Sequence, residues 1–199
     1  MTKQLLIATT NLGKRKEIFD LLKALPITLL TPDDISLYMD VEENGSNYLE
    51  NARLKAQAFC RASQLPTLAD DTGLEVKVLH GQPGLNSHRF TGQADASDHE
   101  RRQLLLSKLE NKPRPWNARF VCAVVLMMPN GKRFSYEDAC SGEIIPTERG
   151  DEGFGYDSIF FFPQEGKTMA ELTLDEKNRI SHRAKAIQGI LPILKDLRS

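Results

Sequence analysis

Two adjacent aspartates, Asp70 and Asp71, stand at the end of an apolar run and constrain how this part of the chain folds. Residues 66–69 before them are typical of a short buried strand, and residues 74–78 alternate like a second strand after a turn at residues 72–73. Side chains of a strand point alternately to opposite faces, so the two carboxylates cannot both be solvent-exposed on the same face. Because a buried ionised carboxylate needs a partner or a metal, the pair indicates either a hydrogen-bonded turn or a hard-cation site.

The composition is that of an ordinary globular protein. A length of 199 residues predicts one domain, 1–199, and 40% hydrophobic with 27% charged residues provides for a substantial core. The formal net charge of −1 gives no general attraction to nucleic acid or acidic membranes. No apolar run reaches membrane-spanning length, and the N-terminus has no signal-peptide pattern. Cys60, Cys122 and Cys140 lie in apolar segments without metal-ligand spacing. We therefore expect a cytoplasmic protein with no nucleic-acid or membrane partner.

Predicted strands and helices alternate along the chain. The strands outside the acidic segment are 3–8, 27–30, 119–128, 132–139 and 159–162, and the helices are 14–25, 46–62 with Ser46 as N-cap, 97–109 and 181–197. Asn130-Gly131 between apolar runs predicts a hairpin, and Pro192 is expected to kink or interrupt the last helix. Early βαβ alternation followed by a hairpin predicts an α/β fold. We expect an elongated mixed β-sheet flanked by helices, with two lobes around a substrate cleft.

A polar loop at residues 8–14 joins the first strand to the first helix. Its candidate substrate-binding residues are Thr9, Thr10, Asn11, Leu12, Gly13 and Lys14. Backbone N–H groups at a helix N-terminus bind phosphate, and Lys14 adds a positive charge. The loop lacks the complete Walker pattern, so a simple helix cap formed by residues 9–11 is the alternative.

Two further segments carry candidate site residues. In the first, Glu42 precedes a turn, and Tyr48, Asn51 and Lys55 share one helical face, which is either part of a site or merely solvated. In the second, glycines flank an aromatic ring, which suits a nucleobase. The residues of that second segment are Phe154, Gly155, Tyr156 and Asp157, followed by Lys177, His182 and Arg183. The alternative is that the aromatic residues belong to the core and that His182 is a surface histidine.

Six segments in this order resemble the inosine/xanthosine triphosphate pyrophosphatases, which remove deaminated purine nucleotides. They read ATTNLGK, EENGSNYLENARLKA, LADDTGLEV with GQPGLNS, ARFVCAVVL, GFGYDSIF and EKNRISHRAKA, and the resemblance extends from Ile7 to Ala186. The departures are few. Thr72 replaces the usual Ser, Asn47 stands in place of Ser or Thr, Ser158 in place of Pro, and His88 in place of Ala.

The resemblance implies Mg²⁺-dependent hydrolysis of ITP, dITP and XTP to the monophosphate and pyrophosphate by a homodimer. It assigns Glu42 and Asp71 as metal ligands and Asp71 as the proton acceptor, with Asp70 and Lys55 supporting catalysis. Mg²⁺ prefers carboxylates, waters and phosphate oxygens, which fits this assignment. The remaining family residues bind substrate: the loop 9–14, Thr72, residues 154–157, Lys177, His182 and Arg183.

The choice of base follows from hydrogen-bond donors. Hypoxanthine and xanthine carry oxygen at C6, whereas adenine carries an amino group. Arg183 only donates and His182 can donate, so both would be satisfied by O6 and would face adenine donor against donor. Such a site rejects the wrong edge by roughly 10⁴-fold.

Two other functions stay open at this point. A pyrophosphatase of the related septum-inhibitor type would use the same metal chemistry on pyrimidine triphosphates such as dTTP or UTP. A non-enzymatic nucleotide-binding or RNA-binding module would bind without Mg²⁺-dependent turnover, but the sequence lacks the basic, aromatic-studded strands typical of RNA binders.

Overall fold

Helices and strands alternate in the computed structural model of the chain, which describes residues 3–93 and 95–196. The α-helices of this part are α1 Leu12–Leu22, α2 Tyr48–Ser63, α3 Asp98–Leu109, α4 Leu174–Ile180 and α5 His182–Asp196. The strands are β1 Lys3–Ile7, β2 Ile27–Leu30, β3 Thr67–Val76, β4 Pro83–Gly84, β5 Trp116–Met127, β6 Arg133–Ile144, β7 Phe160–Phe162 and β8 Lys167–Thr168. No helix among these residues is long and apolar enough to cross a membrane.

The strands form a mixed sheet in the order β2-β1-β3-β5-β6-β7-β8, and β4 pairs with β3. β1 runs parallel to both β2 and β3, with α1 and α2 in the connections. At the other end of the order, β7 runs antiparallel to β6 and to β8. The predicted α/β class and mixed sheet are therefore confirmed.

The acidic pair lies inside a strand, and the turn predicted at residues 72–73 is wrong. β3 continues from Thr67 to Val76 without interruption. Its start pairs with β1, where Leu6 lies opposite Thr67, and its end pairs with β4, where Leu74 lies opposite Gly84. These pairings hold the Thr-Gly dipeptide extended, because tertiary partners override a local turn preference.

Other local predictions held with shifted boundaries. The hairpin at Asn130-Gly131 is confirmed, with the Gly131 N–H donating to the Met128 carbonyl at 2.9 Å. The N-cap of α2 is Asn47 rather than Ser46, because the Asn47 side chain accepts from the Glu50 N–H at 2.9 Å. α5 continues through Pro192, so an interruption there is wrong. The predicted end of that helix at residue 197 lies outside the described residues.

The chain divides into two compact units. Unit 1 comprises the chain up to Asp71, Cys122–Asp138 and the chain from His182 onward, and unit 2 comprises Thr72–Val121 and Ala139–Ser181. The core of unit 1 includes Leu5, Ile7, Ile18, Leu68, Val124, Ile187 and Ile190, and that of unit 2 includes Leu74, Leu105, Trp116, Tyr156, Ile159, Phe160 and Met169. Cys60, Cys122 and Cys140 are buried, unbridged thiols.

Candidate active site

The N-terminus of α1 places Lys14 beside the acidic pair in unit 1. Asn11 caps the helix, since its Oδ1 accepts the Lys14 N–H at 2.9 Å, and Thr9 Oγ1 accepts the Asn11 N–H at 3.2 Å. The predicted capping role is thus present. The Lys14 ammonium lies 3.1 Å from Asp70 Oδ2. The loop therefore both starts the helix and brings a cation to the carboxylate.

Asp70 is a fully buried carboxylate held ionised by cations. Its side chain is only 1% exposed, and Arg183 Nε donates to its Oδ2 at 3.2 Å. Burial alone would raise the pKa of Asp70, but Lys14, Arg183 and Lys55 outweigh it and hold the pKa well below its usual range. The other oxygen, Oδ1, is buried with no hydrogen-bond partner among the described residues.

Asp71 lies in a different environment, on the side of α2. Asn51 Nδ2 donates to Asp71 Oδ2 at 3.0 Å, and Lys55 Nζ lies 3.9 Å from Oδ1. Burial raises the pKa of Asp71 in spite of these partners. The Lys55 ammonium also pairs with Glu43 at 2.8 Å. Two adjacent carboxylates thus differ in proton affinity, which is how acid and base roles are separated in enzyme sites.

The start of α5 completes the cluster with a buried ion-pair network. Arg183 donates through Nη1 to Glu17 on α1 and through Nε to Asp70 on β3. Arg183, Glu17 and Asp70 are all nearly inaccessible to water. The chain thereby ties a helix from its N-terminal part and a helix from its C-terminal part to the acidic strand.

The charges of unit 1 fit a divalent cation. The cluster contains the carboxylates Glu17, Glu43, Asp70 and Asp71 and the cations Lys14, Lys55 and Arg183. One negative charge is therefore left over when all are ionised. In the described part of the chain, no three Asp, Glu, His or Cys side chains form a cage of their own for a metal. The unpartnered Asp70 oxygen and the carboxylate donors suit Mg²⁺, which takes further ligands from water and phosphate.

In unit 2, Asp157 and Lys177 organise the glycine-flanked aromatic segment. Lys177 Nζ donates to Asp157 Oδ2 at 2.6 Å, and the Phe154 N–H donates to the same oxygen at 2.9 Å. The Lys177 ammonium also lies 5.3 Å from the centre of the Phe154 ring. A side chain at Gly153, where φ is +81°, would collide with Asp157 Oδ2. These contacts fix the conformation of the loop, and the Phe154 side chain that it carries is only half-buried.

The comparisons with known proteins agree over nearly the whole chain. A family model with the description "Ham1 family" matches residues 5–193. The chain belongs to the Ham1 family. This Ham1 chain is 44% identical over 194 residues to a dITP/XTP pyrophosphatase of Geobacter sulfurreducens, covering 97% of this chain and 95% of that protein. It is 45% identical over 194 residues to a dITP/XTP pyrophosphatase of Thermus thermophilus, covering 97% of this chain and 92% of that protein.

Solved structures of relatives have the same fold as this Ham1 chain. A HAM1 protein from Coxiella burnetii superposes with a TM-score of 0.87 at 37% identity, covering 98% of this chain and 100% of that one. The Ham1 protein of Staphylococcus aureus gives a TM-score of 0.85 at 36% identity, with the same coverage. The resemblance read from the sequence motifs is thus confirmed.

The structure of this Ham1 chain brings part of the predicted site together. One cluster in unit 1 contains Lys14, Lys55, Asp70, Asp71 and Arg183. His182, which precedes Arg183 in the sequence, is buried and is therefore not a surface histidine. Phe154, Gly155, Asp157 and Lys177 form a second group in unit 2.

Three predicted residues of this Ham1 chain differ in setting from the rest. Glu42 is exposed, whereas its neighbour Glu43 contacts Lys55. Tyr156 is buried in the core, where its hydroxyl donates to the Ser87 carbonyl at 2.9 Å, as the alternative stated for the aromatic residues expects. Thr72 lies within β3 and is half-buried. The substrate and metal roles of these residues stay predictions.

Two members of the unit 1 cluster were not among the predicted site residues. Glu17 lies on α1 three residues after Lys14, a spacing that places both on one helix face and is the available signal. Glu43 follows Glu42 directly, and sequence alone does not tell which of two adjacent carboxylates turns inward. Asn51 stands out in the sequence only by its helical spacing; on that face Tyr48 and Asn51 are buried and Lys55 is half-buried.

Proposed function

We propose that this Ham1 chain is a nucleoside-triphosphate pyrophosphatase that hydrolyses deaminated purine nucleotides such as ITP, dITP and XTP to the monophosphate and pyrophosphate. The observation that carries the proposal is the pair Asp70 and Asp71 in β3, whose adjacent carboxylates are surrounded by the cations Lys14, Arg183 and Lys55. The curated relatives, named as dITP/XTP pyrophosphatases, support the reaction class.

The metal in this proposal is Mg²⁺, held by Asp71 and Glu42, with the unpartnered Oδ1 of Asp70 in the same cluster as Asp71. The oxygen-only donor set and the surplus negative charge support a hard divalent cation. When bound, Mg²⁺ would acidify water and neutralise phosphate oxygens. Lys14 and Lys55 would add positive charge for the leaving pyrophosphate, which phosphoryl transfer requires more than covalent help.

The proton step falls to Asp71. A water molecule attacks the α-phosphorus, and one of its protons passes to an Asp71 oxygen. The bond between the α-phosphorus and the bridging oxygen breaks, and that oxygen leaves as part of pyrophosphate. Asp70 is held ionised by three cations and is the more deeply buried of the pair, which leaves Asp71 as the proposed proton acceptor. A cation bound to Asp71 would lower its pKa and would itself acidify the attacking water, so the two would share the activation of water. Asn51 fixes the orientation of the Asp71 carboxylate through its hydrogen bond.

Base recognition in this proposal belongs to Phe154, which stacks on the purine, and to the donors His182 and Arg183 at O6. The loop held by Asp157 and Lys177 supports the stacking role, because it presents a half-buried ring. Arg183 also has two protein partners, since its Nε and Nη1 donate to Asp70 and Glu17.

We further propose that the two units are the lobes of one cytoplasmic, homodimeric enzyme domain. Light scattering of the purified protein tests the dimer.

A panel of triphosphates tests the proposed function. We expect Mg²⁺-dependent release of pyrophosphate from ITP, dITP and XTP, little from ATP, and none in EDTA. Product analysis by ³¹P NMR distinguishes pyrophosphate from successive release of phosphate. Preferred hydrolysis of dTTP or UTP would instead indicate a pyrimidine pyrophosphatase, and binding without turnover would indicate a non-enzymatic module.

Replacing Phe154 by alanine should weaken binding of the base but not of the phosphates. We expect a loss of about 1–3 kcal/mol in ITP binding, the usual contribution of one base stacked on an aromatic ring. Calorimetric titration with ITP and with inorganic tripolyphosphate measures both parts. Phe161→Ala, another half-buried phenylalanine of unit 2, is the control. Equal weakening of both ligands would remove Phe154 from the base pocket.

The neighbours Glu42 and Glu43 separate metal binding from support of Lys55. We expect Glu42→Gln to raise the Mg²⁺ concentration needed for half-maximal turnover about tenfold, because a neutral amide is a poorer ligand for a hard cation. Glu43→Gln should leave that concentration within about twofold and lower turnover at saturating Mg²⁺, since it releases Lys55. The reverse pattern in a Mg²⁺ titration would make Glu43 the ligand.

A further inference from the structure

Two side chains from the first two turns of α3 form hydrogen bonds with the backbone of the loop that presents Phe154. The Gly155 N–H donates to Asp98 Oδ2 at 2.6 Å, and the Gly155 carbonyl accepts from Arg102 Nη1 at 2.7 Å. Asp98 and Arg102 lie four residues apart and therefore on one face of the helix. Both hydrogen-bonding groups of a single glycine, the residue directly after Phe154, are thus held by charged side chains.

The side chains of Asp98 and Arg102 are themselves held in place by further contacts. Arg101 donates to the other Asp98 oxygen, and Ser97 caps α3 in a complete capping box. On the other side, Arg102 Nη2 pairs with Glu148 Oε2 at 2.7 Å. That carboxylate also accepts from the Ser158 hydroxyl at 3.2 Å, which a proline at this position would lack. Bonds to charged groups are about twice as strong as neutral ones, so the network fixes the loop firmly.

Nothing in the hydrolysis itself requires this network. Asp98, Arg102 and Glu148 belong to unit 2, whereas the acidic pair and its cations belong to unit 1. Gly155 has φ of +62°, a conformation that glycine adopts without strain, and two anchors on its peptide groups select that conformation. The direction in which the adjacent Phe154 ring points follows from the backbone that is anchored there.

We propose that Asp98 and Arg102 are positioning residues that hold the Phe154–Gly155 backbone and thereby set the affinity of the enzyme for the nucleobase. The inference rests on the proposed role of Phe154 in stacking. Affinity gained by holding a loop in its binding conformation comes from a lower ordering cost, so it appears in substrate binding rather than in the chemical step.

The decisive experiment is a double-mutant cycle between α3 and the ring. We expect Arg102→Ala to raise KM for ITP about tenfold with kcat within twofold, and to leave binding of inorganic tripolyphosphate unchanged. In the Phe154→Ala background, the same substitution should change KM less than about twofold, because the ring it positions is absent. Asp98→Ala should behave like Arg102→Ala, whereas Asp98→Asn should retain most of the affinity, since its amide oxygen still accepts from Gly155. Arg119→Ala, at an arginine of unit 2 paired with Glu75, is the control.

Hydrogen exchange at the Gly155 amide provides an independent reading of the grip. Asp98→Ala should speed that exchange at least about tenfold while the thermal midpoint stays within a few degrees. Unchanged exchange, or an equal rise in KM with and without Phe154, would overturn the proposal. If Phe154→Ala alone leaves ITP affinity unaltered, the stacking role fails, and accelerated exchange at Gly155 would then show a loop grip without a role in base affinity. Should Arg102→Ala fail to fold, Asp98→Asn and Asp98→Ala decide the question.

Discussion

Asp71→Asn should lower the turnover of ITP at least about 100-fold and leave the fold intact. The substitution removes the proposed proton acceptor and weakens the cation site, two effects that act on the same step. The amide keeps the shape of the carboxylate and still accepts from Asn51, so the core around β3 has no reason to change. Steady-state kinetics with ITP at saturating Mg²⁺, together with a thermal unfolding curve, measures both expectations.

The control for this result is an aspartate of the same unit outside the cluster. Asp20 on α1 pairs with Lys23, the residue that caps the C-terminus of that helix, at 2.7 Å, and we expect Asp20→Asn to keep turnover within about twofold. Near-native turnover by Asp71→Asn would mean that the acidic strand is not the catalytic centre. A fall that matches a loss of folded protein would point to a structural role instead.

Arg183→Ala should destabilise the protein more than any of the other single substitutions proposed above. It leaves Glu17 and Asp70 as buried carboxylates without their shared guanidinium. Removing one partner of a buried ion pair costs about 3–5 kcal/mol. For a protein of this size, that loss corresponds to a fall in Tm of roughly 6–20 °C. Differential scanning calorimetry measures it, and the double variant Glu17→Gln with Arg183→Ala should recover part of the loss.

The same variant decides how Arg183 acts on the reaction. If it donates to O6 of the base, kcat/KM for ITP falls roughly 10- to 100-fold and ATP hydrolysis stays near its baseline. If it acts through Asp70, ITP and ATP fall by one factor. The proposed role of Arg183 at O6 predicts the first outcome, and an unchanged ITP/ATP ratio would contradict it. Arg183→Lys should restore neither the stability nor the ITP hydrolysis fully, because an ammonium lacks the planar guanidinium geometry that reaches two carboxylates.

Local sequence predicted those parts of the fold that depend on neighbours in the chain. The hairpin at Asn130-Gly131 and the helix expected over 97–109 were predicted because turn chemistry and helical periodicity reside in nearby residues; the helix begins at Asp98, with Ser97 as its N-cap. The course of β3 was not, because its extended form depends on strands that are distant in the sequence. Glu17 and Arg183 are 166 residues apart, so no local pattern predicts that they meet.

The candidate site shows the same division. The motifs identified the residue types and the reaction class, since carboxylates and lysines at these positions match a phosphate-and-metal chemistry. They did not reveal that the two aspartates differ in proton affinity, because that difference comes from which cations surround each one after folding. Nor did they distinguish Glu43 from Glu42, because side-chain direction in an irregular segment follows from packing alone.

The discontinuous make-up of unit 1 has a consequence for synthesis on the ribosome. Its first strand and helix are translated early, yet α5, which packs against α1 and supplies Ile187 and Ile190 to the same core, is translated last. Until that helix leaves the exit tunnel, Asp70 and Glu17 lack Arg183 and the apolar face of α1 lacks its cover. The nascent chain therefore cannot finish this unit segment by segment, as proteins with contiguous domains do. A stop codon before His182 would yield a chain whose acidic strand β3 never acquires its buried arginine.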